Sequence, residues 1–139
     1  MRFRLVTIAL LTVVAISFAQ DQKIKKTTAP HTSPASGKQM YAAYCASCHG
    51  ADGKGNGPAA SALKTAPTDL TQIQKSNGGK FPSDHVYEVI NGRASTPAHG
   101  SAEMPVWGPV FRRLSGSRDA EVQQRITNLT EYIQSLQQK

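Results

Sequence analysis

The run Cys45-Ala46-Ser47-Cys48-His49 constrains this chain more than any other stretch, and it uses the only two cysteines present. A C-x-x-C-H run is a pattern for covalent haem attachment, with thioethers on both cysteines and the adjacent histidine as an axial iron ligand. On a helix, positions 45, 48 and 49 stand at i, i+3 and i+4, so both sulfurs and the imidazole face one side. Two other uses compete. A thioredoxin-like dithiol needs a βαβ setting, and half of a zinc site needs a further ligand in register with the pair. Strand-like alternation occurs nowhere after the first twenty residues, which removes the dithiol and leaves covalent haem, one per chain, as the reading of the motif.

The start of the chain points to export. Arg2 and Arg4 precede an apolar run from Leu5 to Phe18, and Ser17 and Ala19 are small, which is the order of regions in a secretory signal peptide. The run holds about fourteen residues, short of the roughly twenty that span a bilayer as a helix. Residues 1–19 are therefore read as a signal peptide cleaved after Ala19, placing the domain in the periplasm or otherwise outside the cytoplasm. The rival is retention as a membrane anchor facing the periplasm. No twin-arginine pair precedes the run, which favours the general secretory route. Residues 20–36 (QDQKIKKTTAPHTSPAS) are rich in Lys, Thr, Ser and Pro and read as a flexible linker, with His31 a solvated histidine inside it. The domain proper is expected over 37–139. Part of the formal charge of +7 leaves with Arg2 and Arg4, and the linker holds Lys23, Lys25 and Lys26. What remains is small and scattered, so no nucleic-acid partner is expected.

Where the domain shows a hydrophobic period, it is helical. Gly37, Met40, Tyr41 and Tyr44 recur at helical spacing and lead into the cysteines, the helix stopping near His49-Gly50. The stretch GADGKGNG and the residues up to Asn77-Gly78-Gly79 read as loop and turn, with short helical turns around Ala59 to Leu63. A nucleotide cradle is rejected because GADGKGNG lacks a preceding strand and the Gly-Lys-Ser/Thr ending of a P-loop. A second helix is expected over 83–91, with Ser83 as N-cap, Asp84 in its first turn and Asn91-Gly92 closing it. A short helical piece runs from Val106 to Leu114 despite Pro109. The last helix takes Ser117 as N-cap and carries Val122, Ile126, Leu129, Ile133 and Leu136 along one face. The fold class is all-α.

From Gly37 onward the chain resembles the class I monohaem c-type cytochromes. The resemblance rests on GKQMYAAYCASCHG, GADGKGNGP, the turn Glu103-Met104-Pro105 and the closing LTEYIQSL. It implies a small cytochrome c fold in which N- and C-terminal helices cross, with a contact at Gly37, Tyr41, Leu129 and Tyr132, and haem c lying between them and a methionine loop. It implies metal ligation by His49 and Met104. Met40 shares the helix of the cysteines and cannot reach the opposite haem face; His99 and His85 are the alternatives to Met104. His49 should donate its Nδ1 proton to a carbonyl, which the resemblance assigns to Pro58. The glycine loop is expected to let backbone approach the haem edge. Arg93, Trp107 and Tyr44 are near enough to meet a propionate or the ring, and the sequence selects none of them. The function implied is single-electron transfer between a redox-protein donor and acceptor by a monomer that is not an enzyme. The rival is a haem enzyme or ligand sensor with a labile distal ligand, for which His99, Glu103 and Arg93 would be the nearby groups.

Overall fold

The computed structural model describes residues 29–94 and 104–138. The expected signal peptide, the first part of the expected linker, His99 and Glu103 lie outside the described residues. Among those described there are six α-helices and no strand: α1 (Gly37–Tyr44), α2 (Ala46–His49), α3 (Ile73–Ser76), α4 (Ser83–Asn91), α5 (Trp107–Leu114) and α6 (Asp119–Ser135). None is long and apolar enough to cross a membrane. The all-α expectation holds.

The helix boundaries follow local chemistry. Ser36 caps α1, its hydroxyl accepting from the Gln39 amide at 3.2 Å. The expected single helix through His49 is two helices: Cys45 keeps a right-handed conformation but with φ widened to −110°, and there α1 ends and α2 begins. Ser83 is the first residue of α4 and not its cap, since Pro82 stands at the cap position. Gly92 ends α4 in the left-handed conformation. Pro109 is tolerated because it lies in the first turn of α5, where its amide needs no intrahelical partner. Ser117 is not the cap of α6 either. It has a positive φ of 63° beside Gly116 at 56°, and this tight turn between α5 and α6 moves the cap to Arg118.

α1 and α6 cross at the centre of the molecule. Gly37 touches Asn128 and Tyr132 so closely that a Cβ there would lie 2.0 Å from the Asn128 carbonyl oxygen. Tyr41 packs on Tyr132 with ring centroids 5.2 Å apart. Around this crossing Met40, Tyr41, Phe111, Ile126 and Leu129 are buried to within about 1% of full burial. The crossing expected at Gly37, Tyr41, Leu129 and Tyr132 is therefore present.

Residues 29–36 do not behave as the free linker expected of them. Their carbonyls are taken by side chains of the helical body: Tyr44 Oη donates to Pro30 at 2.6 Å, Arg125 to Thr32 at 3.0 Å and Asn128 to Pro34 at 2.7 Å. Composition misleads here because the segment contributes backbone acceptors, which a count of apolar side chains does not register. His31 is exposed, as expected.

Candidate functional site

The site is built where α2 ends. The Cys45 carbonyl accepts from the amides of Cys48 at 3.1 Å and His49 at 2.9 Å, which carries the histidine back over the first cysteine. Cys45 and His49 both border a cavity of about 320 Å³. Its walls are mainly apolar, with Leu70, Ile73, Val86, Val89, Ile90, Trp107 and Ile133; Met104 also borders it, as do Pro82, His85 and the polar residues Thr68, Asp69, Ser76 and Asn77. α4 contributes Val86, Val89 and Ile90 at the i, i+3, i+4 spacing that puts one helix face on the cavity. Cys48 is half-buried and is not among the residues that border the cavity; no disulfide joins the two cysteines.

His49 is 8% exposed, and its Nδ1 lies 3.1 Å from the Thr68 carbonyl oxygen. With Nδ1–H donating to that carbonyl, Nε2 is the nitrogen left to bind a metal. Burial lowers the pKa of the ring, and the Thr68 carbonyl opposes that only in part, so the imidazole is kept neutral as a metal ligand must be. Burial, with the neighbouring Cys48 adding to it, pushes the Cys45 thiol up to about 12.

The carbonyl expected from Pro58 is thus supplied by Thr68. Pro58 is exposed, and its neighbourhood is spent on holding α2: the Gly57 amide donates to Cys48 O at 3.0 Å and the Ala59 amide to Ser47 O at 2.8 Å. The glycine loop also differs from expectation, since none of its residues borders the cavity. Its close approach is to protein backbone. Gly55, at φ +78°, sits where a Cβ would be 2.2 Å from the Pro67 carbonyl oxygen, while its amide donates to His49 O at 2.8 Å. The glycine therefore brings the 67–68 segment against α2, which places the Thr68 carbonyl beside the imidazole.

The far wall is held by the end of α6. Gln137 donates to Leu70 O at 2.7 Å and accepts from the Gln74 amide at 2.8 Å, and the Gln138 amide donates to Thr71 O at 3.0 Å. Asp69 caps this segment by accepting from the Thr71 amide at 2.9 Å. Neither Gln137 nor Thr68 carried a signal in the sequence: one is a surface-type residue in a polar tail, the other acts through its backbone.

Of the residues left open near the motifs, Trp107 borders the cavity. The Tyr44 hydroxyl is engaged by Pro30 and Thr32. Arg93 is exposed, faces Glu88 at 3.9 Å and does not border the cavity. His85, on α4, does border it. Among the described residues no group of three or more His, Cys, Asp or Glu could hold a bare metal ion.

These residues fit a haem. An apolar slot with a cysteine and a buried neutral histidine on one side and a thioether-bearing methionine in its lining matches the donor set of a covalently held macrocycle. The family model of cytochrome c matches residues 34–137. No curated protein and no solved structure matches the chain. Cytochrome c domains carry electrons on haem, and Cys45 and Cys48 have the spacing of the haem-binding motif. That match spans most of the sequence and includes the α1–α6 crossing, the cysteine pair and the cavity; the chain belongs to the cytochrome c family.

Proposed function

We propose that this chain is an exported, monomeric c-type cytochrome that passes single electrons between a donor and an acceptor protein, with one haem c held by thioethers to Cys45 and Cys48 and axial ligation by His49 and Met104. The observation that carries the reading is that His49, with Nδ1 committed to Thr68, shares one apolar cavity with Cys45 and Met104. When bound, haem supplies a one-electron couple at its iron.

The protein's part is to hold and tune. Cys45 and Cys48 anchor, and the Thr68 carbonyl fixes the orientation of His49 and raises its basicity. Leu70, Ile73, Val86, Val89, Ile90 and Ile133 exclude water, and a low-dielectric setting disfavours the more highly charged oxidation state. A thioether from Met104 acts in the same direction, because a soft neutral ligand raises the potential. Export goes with cleavage after Ala19, and residues 29–36 then belong to the mature domain.

His85 borders the same cavity and is the described rival to Met104 for the distal position. Optical spectra of protein matured with a haem-attachment system separate the readings. Methionine ligation is expected to produce the weak sulfur-to-iron band in the far red of the oxidised form and resistance of the reduced form to carbon monoxide. Met104→Ala should abolish the band, lower the reduction potential and open the iron to carbon monoxide. A wild type that lacks the band and stays closed to carbon monoxide points to His85. One that binds carbon monoxide readily moves the enzyme or sensor reading ahead of the carrier.

A further inference from the structure

We propose that residues 30–32 are a positioning strap for the Trp107 wall of the haem site, acting through Tyr44. A directional chain of hydrogen bonds reaches this strap from the core. Arg125 is 3% exposed and is held by Glu121 Oε1 at 2.9 Å and Ser115 Oγ at 3.2 Å. Its Nη1 donates to Thr32 O at 3.0 Å and Thr32 Oγ1 at 3.2 Å. The Tyr44 hydroxyl donates to Pro30 O at 2.6 Å, so the Thr32 hydroxyl, 2.8 Å away, is left to donate to the phenol oxygen. Donor and acceptor directions agree along this series of bonds, which runs from buried Arg125 to the part-buried Tyr44 hydroxyl and so favours one arrangement.

The last member of that network is an aromatic ring, and here the strap meets the site. Tyr44 packs on Trp107 with centroids 5.2 Å apart and on Phe111 at 5.5 Å, and Trp107 stacks on Phe111 at 5.8 Å. Trp107 borders the cavity and stands three residues after Met104. The hydroxyl bonds fix the tilt of the Tyr44 ring, the ring fixes the indole, and the indole fixes one wall of the cavity and the start of α5. The N-terminal segment thereby reaches the distal side of the site without touching it. The effect on Met104 rests on the ligation proposed above; the effect on Trp107 does not.

Trp107 is the only tryptophan in the chain, so its emission reports on this wall alone. Haem quenches a nearby indole, and displacement of the indole restores emission. The test compares full-length, haem-loaded wild type with Tyr44→Phe and Thr32→Val, and with Tyr132→Phe as control. Tyr44→Phe keeps the ring and loses only the hydroxyl, with its bonds to Pro30 and Thr32, and each neutral hydrogen bond lost shifts a two-state position by about fivefold. Both variants should show raised Trp107 emission and carbon monoxide uptake increased by at least a factor of about five, with haem content and helicity unchanged and the control like wild type. Emission and uptake equal to wild type in both variants overturn the proposal. Should Tyr44→Phe fail to take up haem, Thr32→Val decides the outcome by the same two readings. If wild type lacks the far-red band, the Met104 ligation fails, and the emission comparison still decides the strap.

Discussion

Gly37→Ala tests the crossing on which the site is hung. Gly37 is the first residue of α1, and a Cβ there would stand 2.0 Å from Asn128 O and 2.8 Å from both Asn128 C and Tyr132 Cβ. Ordinary contact begins at 3.4 Å, so α1 must withdraw from α6 by more than about 1 Å. Two terms oppose each other. Alanine gains up to about 1 kcal/mol over glycine in a helix, and less at a first position. Forcing atoms into a packed interface costs about 1–3 kcal/mol. Overpacking should win, because the first obstacle is backbone of a long helix packed along one face, which cannot swing aside as a side-chain tip does. A net loss of about 1–2 kcal/mol lowers Tm by roughly 5–15 °C in a domain of this size. Thermal unfolding followed by circular dichroism reads it, with the exposed Gln39→Ala as a control expected to stay within about 0.5 kcal/mol. A Gly37→Ala protein as stable as wild type would refute the claim that glycine at 37 is demanded by contact.

Arg125→Met, close in volume, should destabilise the fold by about 1–3 kcal/mol, because Ser115 and the Thr32 carbonyl lose the donor that the buried guanidinium supplies; a denaturant midpoint like wild type would contradict it. Glu121 should give acid sensitivity: hydrogen bonds from Arg118 first and then Arg125 hold its carboxyl at about 2, below its ordinary 4.5. A carboxyl depressed in the folded state stabilises in full above its unfolded pKa and loses that contribution as pH falls toward the folded one. The Tm gap between wild type and Glu121→Gln should therefore be largest above pH 4.5 and close as pH approaches about 2; a gap constant with pH would count against the ion-paired cluster.

Much of this fold was legible in periodicity. Val122, Ile126, Leu129 and Ile133 are buried on α6 as their spacing requires, and Val86 and Ile90 do the same on α4. The motif pointed to Cys45 and His49, which both border the cavity. Caps were less legible, because Ser83 and Ser117 have good capping side chains but sit beside a proline and a left-handed turn that shift the helix starts by one residue. Backbone partners were not legible at all. Thr68 reaches His49 through a carbonyl that any residue would carry, and residues 30, 32 and 34 are bound through carbonyls in a segment whose side chains read as solvated. Arg125 belongs to the same class: a charged residue is expected outside unless its partners are known in advance, and those partners lie 4, 10 and 93 residues away.

The central claim is that Cys45 and Cys48 hold haem covalently. It is tested most directly by the intact mass of denatured protein matured with a haem-attachment system. The mass of the polypeptide plus one haem is expected, with retention weakened or lost in Cys45→Ala and Cys48→Ala. The unmodified polypeptide mass in wild type made under those conditions would contradict it.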